Sequence, residues 1–273
     1  MDSSRSARSP LDPAALQEVA GPQWQVRLYA EAGSTNELAA ADPVPHRVVV
    51  ADHQQAGRGR RDRTWTTPAR TAVAVSVLVR PDAVPRALWS WLPLVAGLGV
   101  VDAVVRVAGL DAGLKWPNDV IVGGRKLCGV LAEVVEQPDG TSVVVGVGLN
   151  VSQRADELPV PGATSLAIEG AATTDRDTVL RSVLRAIGDR YTSWVGAAGD
   201  QRGSGIGAGY RERCRTIGAR VSVELPDGTR LEGEAEGVDD EGRLVVRSAD
   251  GGVQRLAAGD VVHVRPAGGA SQA

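Results

Sequence analysis

Hydrophobic residues follow strand-like and helix-like patterns in the first half of the chain. The segments RVVVAD (47–52) and TAVAVSVLVR (71–80) are short and rich in β-branched residues, and the second alternates, which predicts two strands. The segment 86–109 is apolar over a length that favours a long buried helix, despite Pro93. These segments predict a mixture of helices and strands around one core.

Turn signals divide the rest of the chain into shorter units. DVIV, KLCGVLAEVVE and SVVVGVGLNV are separated by GG and PDG, which indicates an antiparallel meander. The segment 176–195 spaces its apolar residues as an amphipathic helix does, and QRGSGIGAG (201–209) is typical of a linker or loop. Beyond Tyr210, short strands at regular spacing are broken by PDG, DDEG and ADGG, as in a small all-β barrel.

The predicted fold class is therefore α+β, with a small β-barrel after the larger domain. Residues 1–22 are small and polar and predict a disordered tail. The mixed domain is expected over 23–208, the barrel over 209–266, and a second disordered tail over 267–273.

Composition excludes several classes of function. The chain has 273 residues, a formal net charge of -3 and a pI near 5.7, so its surface as a whole is not built to bind polyanions. Two cysteines form no disulfide framework, and three scattered histidines have no metal-ligand spacing, so no metal site is predicted. No signal peptide is evident and no segment is expected to span a membrane, which favours a cytoplasmic protein.

The run HQQAGRGRRDRTW (53–65) concentrates positive charge on a flexible backbone that no helix or strand pattern explains. A dinucleotide-binding loop is disfavoured because Asp62 replaces the third glycine and no helix pattern follows, and a P-loop because GK[ST] is absent. A solvated charged loop is the plain alternative. In an acidic protein, glycines that expose backbone N–H groups beside arginine forks favour a loop that grips phosphate or carboxylate.

Four other stretches carry polar groups suited to a site, each with a plain structural alternative. KWPND (115–119) is also a turn sequence, and Lys126 in GRKLCGVLAE (124–133) is also a residue that protects a sheet edge. Two glycines in GVGLN (146–150) share one strand face, which indicates close approach of a ligand or another backbone. GSTNE (33–37) forms a helix capping box, which by itself explains its serine and glutamate.

Taken in order, these blocks resemble one family, the biotin–protein ligases, over roughly residues 24–265. The matching blocks are STN, QQAGRGRRDRTW, KWPND, GRKLCGVLAE and GVGLN. The resemblance implies a catalytic domain akin to class II tRNA synthetases and a C-terminal SH3-like barrel. It also implies that biotin and MgATP form biotinyl-5′-AMP, and that the biotinyl group then passes to one lysine of a biotin carboxyl carrier domain of an acyl-CoA carboxylase.

The resemblance also implies roles for particular residues. The catalytic residues are expected to be Lys126, Arg58, Lys115 and Asp119, with Asp119 a candidate to accept the proton of the carrier lysine. The biotin-binding residues are expected to be Ser34, Thr35, Asn36, Gln54, Gly57, Arg58, Lys126, Gly129, Gly146 and Gly148. The ATP-binding residues are expected to be Arg60, Arg63, Trp65, Asn118, Asp119, Lys126 and Asn150, with Trp65 packed on adenine.

Two departures from the family pattern stand out. Asp62 occupies a loop position that is usually glycine, which predicts a loop that orders more slowly or holds the adenylate less well. The roughly two dozen residues before the catalytic domain resemble the short form, without a winged-helix domain, so no binding to operator DNA is expected. The expected assembly is a monomer or a weak homodimer.

Two other functions remain open on the sequence alone. A lipoate ligase or octanoyltransferase shares the fold class, although GRGRR and KWPND fit the biotin branch better. A single-stranded nucleic-acid-binding protein would use the arginines as a phosphate clamp and Trp65 for stacking, but it leaves KWPND and the glycine strand unexplained.

Overall fold

A mixed seven-stranded sheet forms the larger part of the computed structural model, which describes residues 8–20, 24–60, 63–158, 160–225, 228–257 and 260–263. The strands 25–32 and 47–54 run parallel, and all other neighbours in this sheet are antiparallel. The mixed α+β prediction is confirmed.

The elements follow one another along the chain with short connections. The helices are α1 Pro13–Ala20, α2 Thr35–Ala41, α3 Leu92–Ala103, α4 Arg176–Gly196 and α5 Ile206–Arg213, with 3-10 turns at Arg86–Trp91 and Ala155–Glu157 and a π turn at Val104–Ala108. The strands of the large sheet are β1 Gln25–Ala32, β2 Arg47–Gln54, β5 Ala72–Val79, β6 Ala112–Lys115, β7 Asp119–Val122, β8 Arg125–Gln137 and β9 Gly140–Asn150. Their order across the sheet is β1-β2-β5-β9-β8-β7-β6. A separate ribbon pairs β3 Gly57–Arg58 with β4 Thr64–Trp65.

The two faces of the large sheet bury different partners. Val48, Val77 and Val145 belong to the main core, together with side chains of α3 and α4. Their chain neighbours point the other way, where Val49 and Val144 form a small second cluster with α2. This alternation follows from the period of two in a strand, and it leaves the face beside α2 free to form a cleft.

The long helix predicted over 86–109 is confirmed. Its first turn is 3-10, its last turn is π, and Gly109 ends it in a left-handed conformation at φ 68. Pro93 lies in the first turn of α3, where the missing N–H has no helical partner to lose. In α4, Asp175 caps the N-terminus, and the hydrogen bond from the Thr178 hydroxyl at 2.5 Å lowers the pKa of that carboxyl.

The smaller sheet contains β10 Arg220–Glu224, β11 Arg230–Val238, β12 Leu244–Arg247, β13 Val253–Leu256 and β14 Asp260–His263. Its order is β13-β12-β11-β10-β14, and every pair is antiparallel, in agreement with the predicted C-terminal β domain. Two buried tryptophans join it to the larger domain. Trp91 Nε1 donates to Asp240 O at 2.8 Å, and Trp116 Nε1 donates to Gly242 O at 3.1 Å.

The expectation of a disordered tail over 1–22 is wrong for residues 8–20. This segment contains α1, and Leu11 and Leu16 are buried in the main core where α1 packs against α4. The segment has few apolar residues, so its sequence alone predicts disorder. Its order comes from burial against α4, which is distant in sequence and gives no local signal. Residues 1–7 and 267–273 lie outside the described residues.

The linker predicted over 201–209 is also partly wrong. α5 begins at Ile206, which is fully buried, and the helix packs against α3 and β6. The sequence did not predict this helix because Gly207 and Gly209 lower its helix propensity. The predicted boundary at residue 208 falls inside α5, and the packing of the helix places it with the larger domain.

One described stretch, 86–108, does have the length and apolar composition of a membrane span, contrary to the expectation that none has. It is the long helix of the main core, and 67% of an apolar 18-residue stretch within it is buried inside the protein. Burial against other elements is typical of a core helix.

A buried ion pair fixes the N-terminal segment to the sheet. Arg176 Nη2 lies 2.6 Å from Asp52 Oδ1, with side chains only 5% and 7% exposed, and the same nitrogen donates to Ser9 O at 2.7 Å. Asp52 Oδ1 also accepts from the backbone of Leu11 at 3.3 Å. The pair therefore connects β2, α4 and the segment before α1.

We predict that Arg176→Met lowers the free energy of unfolding by about 3–5 kcal/mol, because it leaves the Asp52 carboxylate buried without its cation. The matched control is Arg202→Met, since Arg202 pairs with Asp240 while 73% of its side chain is exposed. An exposed pair contributes about 0–1 kcal/mol. Urea unfolding of both variants measures the difference, and equal losses would contradict the assignment.

Candidate functional site

One cleft lies on the face of the large sheet that carries α2. It encloses about 570 Å³ and is lined by α2, the β3–β4 ribbon, the strands β7, β8 and β9, and the loop around 160–163. The cleft has a floor, an end with neutral polar groups and an end with charged groups. Each part comes from a different stretch of the sequence.

The floor is a row of small residues that crosses four strands. Ala51 pairs with Ala74, Ala74 with Gly148, and Gly148 with Gly129. Because partners across neighbouring strands share a face, this row forms a shallow trough. The row continues to Asp119 on β7 and then to Lys115 on β6, which places charge at one end of the trough.

Buried neutral polar groups, anchored by the carboxylate of Glu133, form the other end. Thr35 N donates to Gln54 Oε1 at 2.8 Å, and the Thr35 hydroxyl lies 3.0 Å from the same oxygen. Ser76 Oγ on β5 lies 2.7 Å from Thr35 Oγ1 and 2.6 Å from Asn36 Oδ1. Asn36 Nδ2 donates to Glu133 Oε2 at 2.5 Å. The hydrogen bonds hold these side chains in fixed orientations before any ligand arrives.

Gly146 provides the room for this arrangement. A Cβ on residue 146 would overlap Asn36 Oδ1 and would lie 2.9 Å from Asn36 Cγ. Ser76 is the cross-strand partner of Gly146, so a glycine and a serine side by side form the socket for the Asn36 amide. The close approach that the sequence indicated for this glycine is an approach of Asn36.

Lysine and carboxylate meet at the charged end. Lys126 Nζ lies 2.6 Å from Asp119 Oδ1, and both side chains are partly exposed to the cleft. β8 is an internal strand between β7 and β9, so Lys126 does not protect a sheet edge. Its backbone is fixed on the other side, since Lys126 N donates to Gly162 O at 2.9 Å and Lys126 O accepts from Thr164 N at 2.8 Å.

The arginine run forms a short hairpin over the cleft, although no strand was predicted there. Gly57 pairs with Trp65 and Arg58 with Thr64, and the Trp65 ring lies over Gly148, where a Cβ would be 3.1 Å away. Arg60 Nη1 donates to Asn118 Oδ1 at 3.5 Å. Asp62, on which the predicted slower loop ordering depends, lies outside the described residues.

The capping box predicted at GSTNE is half formed. Ser34 Oγ accepts from Glu37 N at 3.4 Å, as a helix N-cap does. The Glu37 carboxylate instead pairs with Arg58 of the hairpin. Glu37 therefore contributes to the position of the hairpin as well as to the first turn of α2.

Asn150 and Asn118 are held by the backbone around them. Asn150 Nδ2 donates to Thr164 O at 2.9 Å, and its Oδ1 accepts from Gln153 Nε2 at 3.1 Å. Asn118 Nδ2 donates to Val130 O at 2.7 Å. Asn150 is therefore oriented by residues outside the sequence motifs, and Asn118 by the backbone of another motif, GRKLCGVLAE.

Cys128 lines the cleft but is no candidate nucleophile. It is buried, and burial raises the pKa of its thiol well above the usual range, an effect that the nearby Lys126 opposes only in part. A protonated thiol is a weak nucleophile. Among the described residues, no group of three or more His, Cys, Asp or Glu side chains is placed to hold a metal ion.

The two lysines of the chain support the assignment of the charged end as part of the site. Lysine and arginine together number 30, and only Lys115 and Lys126 among them are lysines. Both line the cleft. Every other cationic residue of these 30 is an arginine. Lysine presents a compact ammonium on a flexible stem, whereas arginine presents a rigid planar fork, so the choice of lysine at the cleft indicates a specific requirement there.

Comparison with known proteins agrees with this geometry. Residues 32–150 match the Biotin/lipoate A/B protein ligase family, and residues 216–264 match the Biotin protein ligase C terminal domain. The chain is 43% identical over 270 residues to the biotin--[acetyl-CoA-carboxylase] ligase of Mycobacterium tuberculosis, covering 94% of this chain and 97% of that protein. The chain belongs to the biotin protein ligase family.

More distant members agree with this assignment. The ligase is 31% identical over 232 residues to the bifunctional ligase/repressor BirA of Bacillus subtilis, covering 84% of this chain and 69% of that protein. Its fold matches the biotin protein ligase of Aquifex aeolicus in complex with biotin and ATP with a TM-score of 0.73, at 26% identity, over 88% of this chain and 99% of that chain.

The structure brings together nearly all the site residues predicted from the sequence of this ligase. Each of them except Gly57 lines the cleft. Gly57 belongs to the hairpin, and a Cβ there would overlap Gln54 Nε2, so this glycine lets the hairpin pack against Gln54. The individual roles in binding and catalysis remain predictions.

Sequence reasoning missed several residues that surround the cleft. Ser76 and Glu133 complete the polar end, Val160, Pro161 and Ala163 form one wall, and Glu224 reaches the cleft from β10 of the smaller domain. A serine in the middle of VAVSVLV was the one local signal, since it interrupts an apolar strand. The other residues reach the site only through the tertiary fold.

We predict that Gly146→Ala destabilises the ligase by about 1–3 kcal/mol, because the new methyl group displaces an Asn36 amide that Ser76 and Glu133 hold in place. Gly196→Ala is the control, since a Cβ there meets nothing within 4 Å. Ala in place of Gly at this helical position is expected to be neutral or stabilising by up to about 1 kcal/mol. Thermal unfolding compares the two, and a neutral Gly146→Ala would contradict the socket.

Proposed function

We infer that this protein is an ATP-dependent ligase that activates biotin as biotinyl-5′-AMP and transfers the biotinyl group to a lysine of a biotin carboxyl carrier protein. The observation that carries this function is a single cleft with two chemically different ends on one small-residue floor. Hydrogen-bonding side chains at one end suit the neutral ureido ring of biotin. Cations and a tryptophan at the other end suit a nucleotide.

In the first reaction, a carboxylate oxygen of biotin attacks the α-phosphate of ATP, a P–O bond forms, and pyrophosphate leaves. Two anions must meet, so the main requirements are positive charge and positioning. Lys126 lies in the cleft beside Asp119 and is proposed to hold the carboxylate and the α-phosphate. Arg58, Arg60, Arg63 and Lys115 are proposed to supply further charge around the phosphates.

In the second reaction, the amine of the carrier lysine attacks the acyl carbon, an amide forms, and AMP leaves. The attacking amine must first lose a proton. Asp119 is proposed to accept it, and the 2.6 Å contact with Lys126 supports a sequence in which Lys126 turns to the bound anions and frees the Asp119 carboxylate. No covalent intermediate with the protein is required, in agreement with the protonated thiol of Cys128.

Magnesium is proposed to enter with ATP. Mg²⁺ keeps several waters and needs only one or two carboxylates besides the phosphates, and Asp119 and Glu224 both line the cleft. The bound metal would neutralise phosphate charge. The protein residues then position the reacting oxygen atoms.

The finer features of the biological setting are also proposals. The carrier is proposed to belong to an acyl-CoA carboxylase, because the named activity of the Mycobacterium tuberculosis relative is toward acetyl-CoA carboxylase. A cytoplasmic monomer or weak homodimer remains the proposed state. β1 is an edge strand with Tyr29 38% exposed, and the charged Arg27 and Glu31 on it disfavour tight pairing.

The lipoate alternative is disfavoured. The match over residues 32–150 is to a family that includes both activities, but the match over 216–264 is specific to biotin protein ligases. ATP–pyrophosphate exchange with biotin, lipoate and octanoate offered separately tests the function directly. Exchange that depends on lipoate or octanoate rather than biotin would overturn it.

We predict that Lys126→Ala lowers biotin-dependent ATP–pyrophosphate exchange by at least a hundredfold, because the two anions lose the cation between them. That factor corresponds to about 2.7 kcal/mol of transition-state stabilisation. Arg125→Ala is the control, since Arg125 is the adjacent cation but pairs with Glu169 outside the cleft. Near-normal exchange in Lys126→Ala would remove this residue from the reaction.

We predict that Arg60→Gly releases biotinyl-5′-AMP, because the hairpin loses a contact with Asn118 and closes less tightly over the cleft. The released adenylate should label lysines of an added bystander protein. Apart from its N-terminal amine, the ligase itself should stay unlabelled on its outer surface, since its two lysines lie in the cleft. Streptavidin blotting and peptide mass spectrometry measure both outcomes.

A second variant makes this prediction sharper. Arg60→Gly combined with Arg202→Lys places one lysine on the exposed surface, where the side chain of residue 202 is 73% exposed. New self-labelling at residue 202 is expected. Strict labelling of the carrier alone in both variants would refute the role of the hairpin in retaining the adenylate.

A further inference from the structure

Ser76 lies at the centre of the polar end without facing solvent at any point. It is fully buried on β5, between Val49 of β2 and Gly146 of β9. Its hydroxyl lies within hydrogen-bond distance of both Thr35 and Asn36, at 2.7 and 2.6 Å. A hydroxyl has one proton, so it can donate to only one of them.

Glu133 decides which one receives the proton. A carboxylate accepts hydrogen bonds only, so the Asn36 atom that lies 2.5 Å from Glu133 Oε2 must be the amide nitrogen. The amide oxygen of Asn36 then faces Ser76, and that oxygen can only accept. Ser76 therefore donates its proton to Asn36.

This order extends to Thr35. With its proton directed to Asn36, Ser76 Oγ can only accept at the 2.7 Å contact with Thr35 Oγ1. The Thr35 hydroxyl has two acceptors for its one proton, Ser76 Oγ at 2.7 Å and Gln54 Oε1 at 3.0 Å. Gln54 Oε1 already accepts from Thr35 N at 2.8 Å, so the shorter contact and the less occupied acceptor favour Ser76. Thr35 is left with a lone pair, and not a proton, for a ligand in the cleft.

We propose that Ser76 is a positioning residue that, together with Glu133, makes Thr35 a hydrogen-bond acceptor for a ring N–H of biotin. The proposal rests on the proposed function, in which Thr35 contacts the ureido ring. It explains how a row of side chains that can each donate or accept is fixed in one proton order before biotin binds. A ligand that presents a carbonyl oxygen at this point is rejected, because two acceptors would meet.

The first test compares Ser76→Ala with Ser142→Ala. Ser142 is an equally buried serine on β9, and its hydroxyl accepts from Gln137 Nε2 at 2.9 Å away from the cleft. Both variants lose one buried hydroxyl, so loss of stability alone cannot distinguish them. Calorimetric titration with biotin should show at least tenfold weaker binding for Ser76→Ala and an unchanged affinity for Ser142→Ala.

Kinetics separate positioning from a general structural effect. In ATP–pyrophosphate exchange, Ser76→Ala should raise the KM for biotin at least tenfold while the KM for ATP stays within twofold, since the nucleotide end does not contact this cluster. A KM for ATP that rises equally would overturn the proposal, because it would indicate a distorted cleft.

Glu133→Gln tests the anchor of the proton order without removing a buried hydroxyl. A glutamine amide can donate as well as accept, so Asn36 is no longer held in one orientation. A similar loss of biotin affinity is expected, and the double variant Ser76→Ala/Glu133→Gln should be little worse than either single one. Glu136→Gln, on the same strand and exposed, is the control.

An N-methylated biotin completes the test. Methylation removes the N–H that Thr35 is proposed to accept, so it should weaken binding to the unmodified protein far more than to Ser76→Ala. Equal losses in both proteins, or biotin affinity within twofold in both Ser76→Ala and Glu133→Gln, would overturn the proton order. Absence of biotin-dependent exchange in the unmodified protein would instead overturn the proposed function, and the inference with it.

Discussion

The cleft depends on one steric constraint, which is the absence of side-chain volume along a row that crosses the middle of the sheet. Gly148 and Gly129 are paired neighbours on β9 and β8, and the Trp65 ring and the Lys126 side chain lie against them. Glycine weakens a strand because it has nothing to pack. The opposite face of the same strands offsets this weakness, since valines there are buried against α3 and α4.

The sequence predicted part of this difference between the two faces of the sheet. Valine-rich alternation was enough to predict the central strands, and the glycines of GVGLN indicated that one face had an unusual neighbour. α1 and α5 were missed because their few apolar residues are buried by elements far away in sequence. The site motifs were predicted as blocks, but the contacts between blocks, such as Asn36 with Glu133, arise only when β8 and α2 are brought together.

The cations of the cleft are paired with internal carboxylates. Arg58 pairs with Glu37, and Lys126 pairs with Asp119. These side chains are partly exposed, and exposed pairs contribute only about 0–1 kcal/mol, so an anionic ligand can replace the internal partner at little cost. Without a ligand, each of these cations and carboxylates still has a partner of opposite charge. The charged end can therefore hold many charges without strong repulsion between like charges. The neutral end has the opposite property, because its buried hydrogen bonds are expensive to break and so keep their geometry.

The smaller domain is best understood as part of this charged end. Trp116 lies within KWPND, its backbone N donates to Thr216 Oγ1 at 3.0 Å, and its indole donates to Gly242 O. Both partners lie beyond α5, toward or within the smaller domain, so the positions of Lys115 and Asn118 on either side of Trp116 depend on that domain. Glu224 reaches the cleft from the same domain. The contacts of Trp116 therefore couple the smaller domain to the positions of the cleft residues on both sides of this tryptophan.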